Sequence, residues 1–386
     1  MSWQRIFALC IGSYLLSRAM LLAIAANAAK LARPLNPDLD GQFPVTGYYW
    51  IDVWGAWDTG WFMGIAQGGY PEATITSGKI VGEAAWAFFP LYPMSGAILS
   101  NVSGLHTFVS LVLISQTAFV ASLFVLYRET EAVYAKVAAT WAVILACVIP
   151  GTHFFSSAYS EALFLLFVLL SLRNARLEQW IWAGLFGGLA ALTRNTGVFL
   201  ALPIVVYFAL RHGSRPADVW QHATVIDFAR LLTGLALVAA GLASYMTYLY
   251  FLTGDPLAFA SVQSAWGRRL NFPITNLIQP LITPGNTHPI VWLSAVAAWA
   301  SVVGLALLCL KRQWAHAAFV GAVVTLSLSA GLGSYFRFLI VMAPLLMLGG
   351  SLLAKAQAPV AGLALGLTTM MSGAAMVAWA IGINLI

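Results

Sequence analysis

The amino-acid sequence predicts an all-α, polytopic membrane protein. Of its 386 residues 61% are hydrophobic and only 8% are charged, whereas soluble domains carry about 25% charged residues. Apolar runs of roughly 17–25 residues recur along the chain, and a helix of that length crosses a hydrocarbon core about 30 Å thick. Because a helix satisfies its own backbone hydrogen bonds in lipid, the runs indicate spanning helices. We expect one integral membrane domain over residues 1–386.

About 11 runs have the length and composition of a spanning helix. The first resembles a signal peptide in having a charge before an apolar core, but it is longer than such a core, so we expect an uncleaved first helix. The spans are predicted at about 5–29, 107–127, 133–150, 157–172, 178–193, 196–210, 230–252, 289–310, 314–332, 336–353 and 359–384.

The short run FFPLYPMSGAILS, at 88–100, is predicted not to cross the membrane. Pro90 and Pro93 remove backbone donors and kink a helix, and lipid-exposed backbone tolerates this poorly. We expect the run to dip into the bilayer or to lie on it. Residues 32–105 then form a first outer loop with interfacial or re-entrant elements, and residues 253–288 form a second outer loop.

Charge predicts the orientation of the chain. The net charge is +6, but the basic residues are scattered singly, which argues against a nucleic-acid partner. If 88–100 does not cross, most basic loops share a face with Arg5, and the positive-inside rule makes that face and the N-terminus cytoplasmic. The opposite, outer or luminal face then carries most of the acidic residues, and we expect the chemistry there. These acidic residues are Asp38, Asp40, Asp52, Asp58, Glu72, Glu83, Glu161 and Asp255.

The first outer loop contains the segment VWGAWDTGWFMGIAQGGYP, at 53–71. Trp57, Trp61 and Ile65 fall at i, i+4 and i+8, with Phe62 alongside, so the spacing predicts a short helix with one apolar stripe. Such a helix lies in the membrane interface, where Trp is favoured. Asp58 stands at its N-terminal end, either as an N-cap or as a reactive carboxylate, and the two roles are compatible.

The run WDTGWFMGIAQGGYP, followed by AWAFFPLYP, resembles the signature of the PIG-V family of GPI-anchor mannosyltransferases and their bacterial relatives. The resemblance covers most of the chain, because further similar segments follow in the expected order. They are SSAYSEALF at 156–164, ALTRNTGVFLALP at 191–203, GDPLAFASVQSAWGR at 254–268 and SYFRFLIVMAP at 334–344.

This resemblance implies an enzyme of the GT-C superfamily, built as a bundle of many transmembrane helices. Such an enzyme moves a mannosyl residue from a polyprenyl-phosphate donor to a glycolipid or glycan acceptor, with inversion at the anomeric carbon. It implies Asp58 as the catalytic base. No cofactor is expected, although Asp58 with Asp52 or Glu83 offers an alternative in which a divalent metal ion is bound.

A departing phosphate needs cations, and four arginines are candidates: Arg194, Arg268, Arg269 and Arg337. Arg194 and Arg337 lie at the outer ends of apolar runs, and an unpaired guanidinium costs about 2.5–3.5 kcal/mol at the bilayer centre. A phosphate is one suitable partner; lipid headgroups or Glu161 are the others. The resemblance adds Gln263, Trp266 and Arg268 to the expected binding site.

Other polar residues complete the predicted substrate-binding set. Glu161 begins a span, where an acid is a functional candidate. Asn195 either binds a sugar hydroxyl or caps the next helix. Asp52 is a weaker candidate for the base, and Trp57 and Tyr70 belong to the signature itself.

Several other signals are discounted. Asp38 and Asp40 form a D-x-D pair without the βαβ pattern of a nucleotide site. The cysteines, Cys10, Cys147 and Cys309, lie in apolar runs without metal or redox spacing, and among the six histidines only His153 is kept as a weak candidate. The alternatives to mannosyl transfer are a related enzyme for glucose, galactose or arabinose, and a lipid or sugar transporter or flippase.

Overall fold

Helices make up nearly all the regular structure of the computed structural model. It describes residues 2–32, 45–72, 75–76, 79–80, 85–213, 222–266, 270–283, 289–333 and 335–383. The described part also holds a two-residue antiparallel hairpin, Ile75–Thr76 with Lys79–Ile80. The 17 described helices are α1 (Trp3–Ala32), α2 (Tyr49–Asp52), α3 (Thr59–Gly68), α4 (Leu91–Ser103), α5 (Thr107–Val133), α6 (Lys136–Val148), α7 (Glu161–Arg176), α8 (Trp180–Thr193), α9 (Ala201–His212), α10 (Val225–Thr253), α11 (Ala258–Ser261), α12 (Pro273–Ile282), α13 (Pro289–Leu310), α14 (Trp314–Ser329), α15 (Tyr335–Ile340), α16 (Ala343–Lys355) and α17 (Ala358–Ala380).

The helix lengths confirm a polytopic membrane protein. Six helical stretches in the described part are long and apolar enough to cross a membrane, and four more are apolar but shorter. At 1.5 Å per residue, the 30 residues of α1 extend about 45 Å, more than the hydrocarbon core requires. Each of the predicted spans contains a helix.

The predicted span at 336–353 is not one helix. It consists of α15 and α16, and the helix is broken at Val341 and Met342. Pro344 explains the break, because it lies in the first turn of α16, where its missing N–H is tolerated, while its ring is incompatible with a preceding helical turn. The break leaves Arg337 on a helix of only six residues.

The proline-containing run near residue 90 forms the helix α4. Pro93 lies in its first turn, where a proline needs no intrahelical hydrogen bond. Its 13 residues extend about 20 Å, which is less than the hydrocarbon thickness. The length of α4 is therefore compatible with the prediction that this run does not cross.

The chain divides into two compact units, neither continuous in sequence. Unit 1 comprises Met1–Gln67, Tyr92–Leu166 and Phe336–Ile386, and unit 2 comprises Gly68–Leu91 and Phe167–Tyr335. In unit 1, α6 packs against α5 and α16, and α1 packs against α17. A side chain at Gly350 of α16 would collide with the backbone of α6, so this glycine permits the close approach of the two helices.

Within unit 2, α8 and α10 pack against each other through glycines. Gly184 faces Gly234, and Gly188 faces Gly241, so that a Cβ atom on any of them would overlap the facing backbone. Small residues at such spacing let membrane helices pack by van der Waals contact, because lipid supplies no hydrophobic force between helices. These glycines therefore determine the distance between α8 and α10.

We predict that Gly188→Val lowers the stability of the protein. The added side chain would overlap the backbone carbonyl of Leu237, and overpacking of this kind costs about 1–3 kcal/mol. The melting temperature in detergent should fall. Gly366→Val is the matched control, because a Cβ there meets nothing within 4 Å; equal melting temperatures for the two variants would contradict the prediction.

Candidate active site

Two acidic side chains of unit 1 meet at the guanidinium of Arg337. Its Nη1 donates to Asp58 Oδ2 at 2.6 Å. Its Nε and Nη2 donate to Glu161 Oε1 at 2.7 and 2.6 Å. Glu161 lies 176 residues from Arg337 in the sequence, and Asp58 lies 279 residues away. One cation therefore bridges two carboxylates, and the three residues come from three distant segments of the chain.

Burial differs sharply across this triad of Asp58, Arg337 and Glu161. The side chain of Glu161 is 0% exposed and that of Arg337 is 6% exposed, whereas 17% of the Asp58 side chain is accessible. A buried charge is costly unless it is paired and hydrogen-bonded, which explains why Arg337 and Glu161 bind each other. Asp58 is the member that a ligand can reach.

The backbone around Asp58 is held by Tyr159. The amide of Asp58 donates to Tyr159 Oη at 3.1 Å, and the hydroxyl donates in turn to the carbonyl of Ala56 at 3.0 Å. The carbonyl of Asp58 accepts the amides of Trp61 and Phe62, which starts α3. Among the described residues, the carboxylate is hydrogen-bonded only through Oδ2, so Oδ1 is left for a ligand.

Aromatic rings enclose the guanidinium of Arg337. Its central carbon lies 4.7 Å from the ring centroid of Tyr159 and 5.3 Å from that of Phe154, distances at which cation–π attraction contributes. Trp379 packs edge-on against both rings, and its indole donates to the carbonyl of Val53 at 2.7 Å. The C-terminal helix α17 thus supports the loop that carries Asp58.

Arg18 is a buried residue that the sequence analysis missed. It lies in α1 and donates to the carbonyls of Cys147 and Thr152 and to the hydroxyls of Thr152 and Ser156, at 2.6–3.2 Å. These bonds hold the turn that carries Phe154. The sequence did carry a signal, since a charge within an apolar run is itself a reason to expect a role.

His153 lies in the same turn and packs against Phe154 and Trp379. Burial lowers the pKa of His153 to about 3, and the positive charges of Arg18 and Arg337 act in the same direction. The imidazole is therefore neutral at physiological pH. Neither ring nitrogen has a hydrogen-bond partner among the described residues.

Asp52 is occupied by its own loop. Its Oδ1 accepts the amide and hydroxyl of Thr46 at 2.9 and 2.8 Å, and its Oδ2 accepts the amide of Gly47 at 2.9 Å. Asp52 is also nearly buried. The geometry gives Asp52 a structural role in the segment before α3 and makes it a suitable control for Asp58.

The apolar stripe of α3 differs from the predicted one. The helix begins at Thr59, and Trp57 lies before it in the left-handed region with φ 49°. The buried face consists of Thr59, Phe62 and Ile65. Because Trp57 is not helical, the i, i+4, i+8 relation that included it does not hold.

Other predicted site residues, Tyr70, Arg194, Asn195 and Gln263 among them, lie in unit 2. Tyr70 donates its hydroxyl to the carbonyl of Phe88 at 2.6 Å, which ties the GY and FFPL parts of the signature together. Arg194 is extended between α8 and the 3-10 turn that Asn195 begins. Gln263 donates to the carbonyl of Phe259 at 3.2 Å.

The other residues of the sequence analysis lie at the edge of the described ranges or outside them. Trp266 ends the 3-10 turn Val262–Trp266. Arg268, Arg269, Glu83, Asp38 and Asp40 lie outside the described residues. Within the described ranges no group of three or more His, Cys, Asp or Glu is arranged to hold a metal ion. Metal independence stays a prediction.

Comparison with known proteins gives one family match. The family described as Mannosyltransferase (PIG-V) matches residues 13–252, well over half of the chain. No curated relative matches the sequence.

The solved structures to which the chain is similar include the oligosaccharyltransferase of Archaeoglobus fulgidus. The apo form has 15% identity and a TM-score of 0.46 over 93% of this chain and 56% of that one. The complex with Zn and sulfate has 17% identity and a TM-score of 0.47 over 92% and 53%. The AglB complex with an inhibitory peptide and a dolichol-phosphate has 13% identity and a TM-score of 0.46 over 94% and 55%. This chain thus spans about half the length of those proteins.

We predict that Arg337→Met strongly destabilises the protein. The change leaves the buried carboxylate of Glu161 without its cation, and breaking a buried ion pair in this way costs about 3–5 kcal/mol. Thermal unfolding in detergent measures the loss.

The double variant Arg337→Met/Glu161→Gln is the control, because it removes both members of the buried pair. It should recover part of the lost stability, since contacting residues are energetically coupled. Additive losses in the double variant would show that Glu161 and Arg337 do not stabilise each other.

Proposed function

Because the chain belongs to the PIG-V family of mannosyltransferases, we propose that it transfers a mannosyl residue from a polyprenyl-phosphate donor to a lipid-linked or glycan acceptor at the outer face of the membrane. The enzyme is a membrane-bound glycosyltransferase. The matched range contains Asp58, Glu161 and Arg194. A family match to a transferase favours the enzyme over the transporter or flippase.

The observation that carries the proposal is the carboxylate of Asp58. It is partly accessible, one of its oxygens is held by Arg337, and the other accepts no bond from the described residues. A general base must reach the proton that it removes and must be fixed in position. Asp58 meets both requirements, whereas the carboxylate of Asp52 is occupied by Thr46 and Gly47.

In the proposed step the acceptor hydroxyl oxygen attacks the anomeric carbon of the mannosyl donor. The bond from that carbon to the phosphate oxygen breaks, the polyprenyl phosphate leaves with the electron pair, and the hydroxyl proton passes to Asp58. Attack opposite the leaving phosphate inverts the anomeric configuration. Asp58 is regenerated when it loses the proton to water.

The phosphate requires a cation other than Arg337. All three nitrogens of that guanidinium donate to carboxylates, so the alternative in which Arg337 pairs with Glu161 accounts for it better than phosphate binding. The family resemblance retains Arg194 and Arg268 for the phosphate. Guanidinium matches phosphate oxygens with a planar fork of donors.

The proposal also specifies the sugar, the acceptor and the orientation of the site. Mannose follows from the family, and donors carrying glucose, galactose or arabinose are the competing candidates. A GPI-like glycolipid is the acceptor that the resemblance implies. We propose that the active site faces outward in a bacterial cell membrane, or toward the lumen in an endoplasmic reticulum, with a cytoplasmic N-terminus.

We predict that Asp58→Asn abolishes mannosyl transfer. An amide does not accept the acceptor proton, and general-base catalysis contributes about 10²–10⁴-fold to a rate. The assay uses purified protein, radiolabelled polyprenyl-phosphate-mannose and membrane lipid acceptors. It includes excess chelator, because we propose that no metal is required, and parallel reactions contain the competing donors.

Asp52→Asn is the matched control, with the same chemical change only six residues away. It should weaken the first outer loop but keep transfer per folded molecule. Unimpaired transfer by Asp58→Asn would remove Asp58 as the base. Loss of transfer that Mn²⁺ restores would contradict metal independence.

We predict that Trp50→Cys is labelled from outside intact cells by a membrane-impermeant maleimide. Trp50 is 61% exposed and lies in the first outer loop. Lys136→Cys, at the start of α6, should be labelled only after the membrane is permeabilised. Cys10 and Cys147 are buried, which limits the background. The reverse labelling pattern would place Asp58 on the cytoplasmic side and exclude the proposed orientation.

A further inference from the structure

We infer that Glu161 and Arg337 are positioning residues that select the reactive oxygen of Asp58. Glu161 fixes the direction of the Arg337 guanidinium, Arg337 binds Oδ2 of Asp58, and Oδ1 is the oxygen that takes the acceptor proton. This inference rests on the proposed function of Asp58 as the base. Neither Glu161 nor Arg337 touches the substrate in this arrangement.

The geometry of the guanidinium supports the first step. Nε and Nη2 lie on one edge of the planar group, and both donate to Glu161 Oε1. Because the group is rigid, binding along that edge fixes where Nη1 points. Tyr159 and Phe154 contact the guanidinium and restrict its rotation further. Nη1 then meets Asp58 Oδ2 at 2.6 Å.

The second step concerns charge. Arg337 is shared between a fully buried carboxylate and a partly accessible one. Glu161 compensates the positive charge of Arg337, so that Arg337 orients Asp58 without acting on it as an uncompensated cation. If Glu161 lost its charge, Asp58 would be the only carboxylate of the triad paired with Arg337. The uncompensated cation would then lower the pKa of Asp58 and make it a weaker base.

Within the described ranges, three other titratable groups face the triad. The phenol of Tyr159 interacts with Asp58, Arg337 and Glu161, that of Tyr92 interacts with Glu161, and His153 interacts with Arg337. Phenols ionise near pH 10 in water, and burial raises the pKa of Tyr92 well above its usual value. Burial lowers the pKa of His153 to about 3. None of these three groups therefore changes its charge between about pH 4 and pH 9. A shift of the pH–rate profile within that range reports on a carboxylate.

The test compares Glu161→Gln, Glu161→Asp and wild-type protein in the transfer assay across pH. In Glu161→Gln we expect the acidic limb of the pH–rate profile to move to lower pH, kcat to fall about tenfold or more, and the donor KM to stay unchanged. Glu161→Asp keeps the charge, so its acidic limb should coincide with that of the wild type. A merely structural role would lower the amount of folded enzyme without moving the limb.

A second measurement does not depend on transfer. A carbodiimide reacts with protonated carboxyl groups, and mass spectrometry of the peptide containing Asp58 and Asp52 quantifies both. The pH of half-maximal labelling of Asp58 should fall in Glu161→Gln and return in Glu161→Asp, with Asp52 unchanged as the internal reference. If wild-type protein transfers no sugar from any donor, the proposed function fails, while this labelling still tests the charge coupling.

Arg337→Lys covers the case in which Glu161→Gln does not fold. It keeps the charge but lacks the planar fork, and misplacement by about 1 Å can cost about 100-fold in rate. We expect kcat to fall about 10- to 100-fold with an unchanged donor KM. A wild-type kcat in Arg337→Lys, or an unmoved acidic limb and unmoved labelling in Glu161→Gln, would overturn the inference.

Discussion

Unit 1 depends on a single guanidinium that compensates two carboxylates. Arg337 binds Glu161 through two nitrogens and Asp58 through the third. Because an unpaired buried charge is so costly, the segments that carry these residues must come together when the protein folds. The same interaction engages one oxygen of the partly accessible Asp58 carboxylate and leaves the other without a hydrogen bond from the described residues.

The surroundings of the triad are built to hold that arrangement. Tyr159 binds the backbone on both sides of Trp57 and also contacts the face of Arg337. Trp379 connects α17 to the loop before Asp58, and Arg18 holds the turn that carries Phe154. These contacts fix the position of Asp58, as the proposed role of a base requires, because a preorganised group loses little entropy in a reaction.

The PIG-V signature also has a structural explanation in this chain. Tyr70 and Tyr245 donate their hydroxyls to the carbonyls of Phe88 and Trp86. These aromatic residues thus stabilise the loop of unit 2, whereas the proposed base, Asp58, lies in unit 1. The signature therefore contains both residues with a structural role and the proposed base.

The sequence by itself determined the helical membrane architecture and the positions of the apolar helices, because hydrophobicity over about 20 residues is a local property of the chain. It also singled out Asp58, through its place before a short predicted helix and within a family signature. Only the tertiary structure decided which of its possible partners Arg337 binds, where α15 ends, which face of α3 is buried, and that Arg18 has a role. These features depend on contacts between residues far apart in the chain, and neither spacing nor composition encodes the geometry of a guanidinium between two carboxylates.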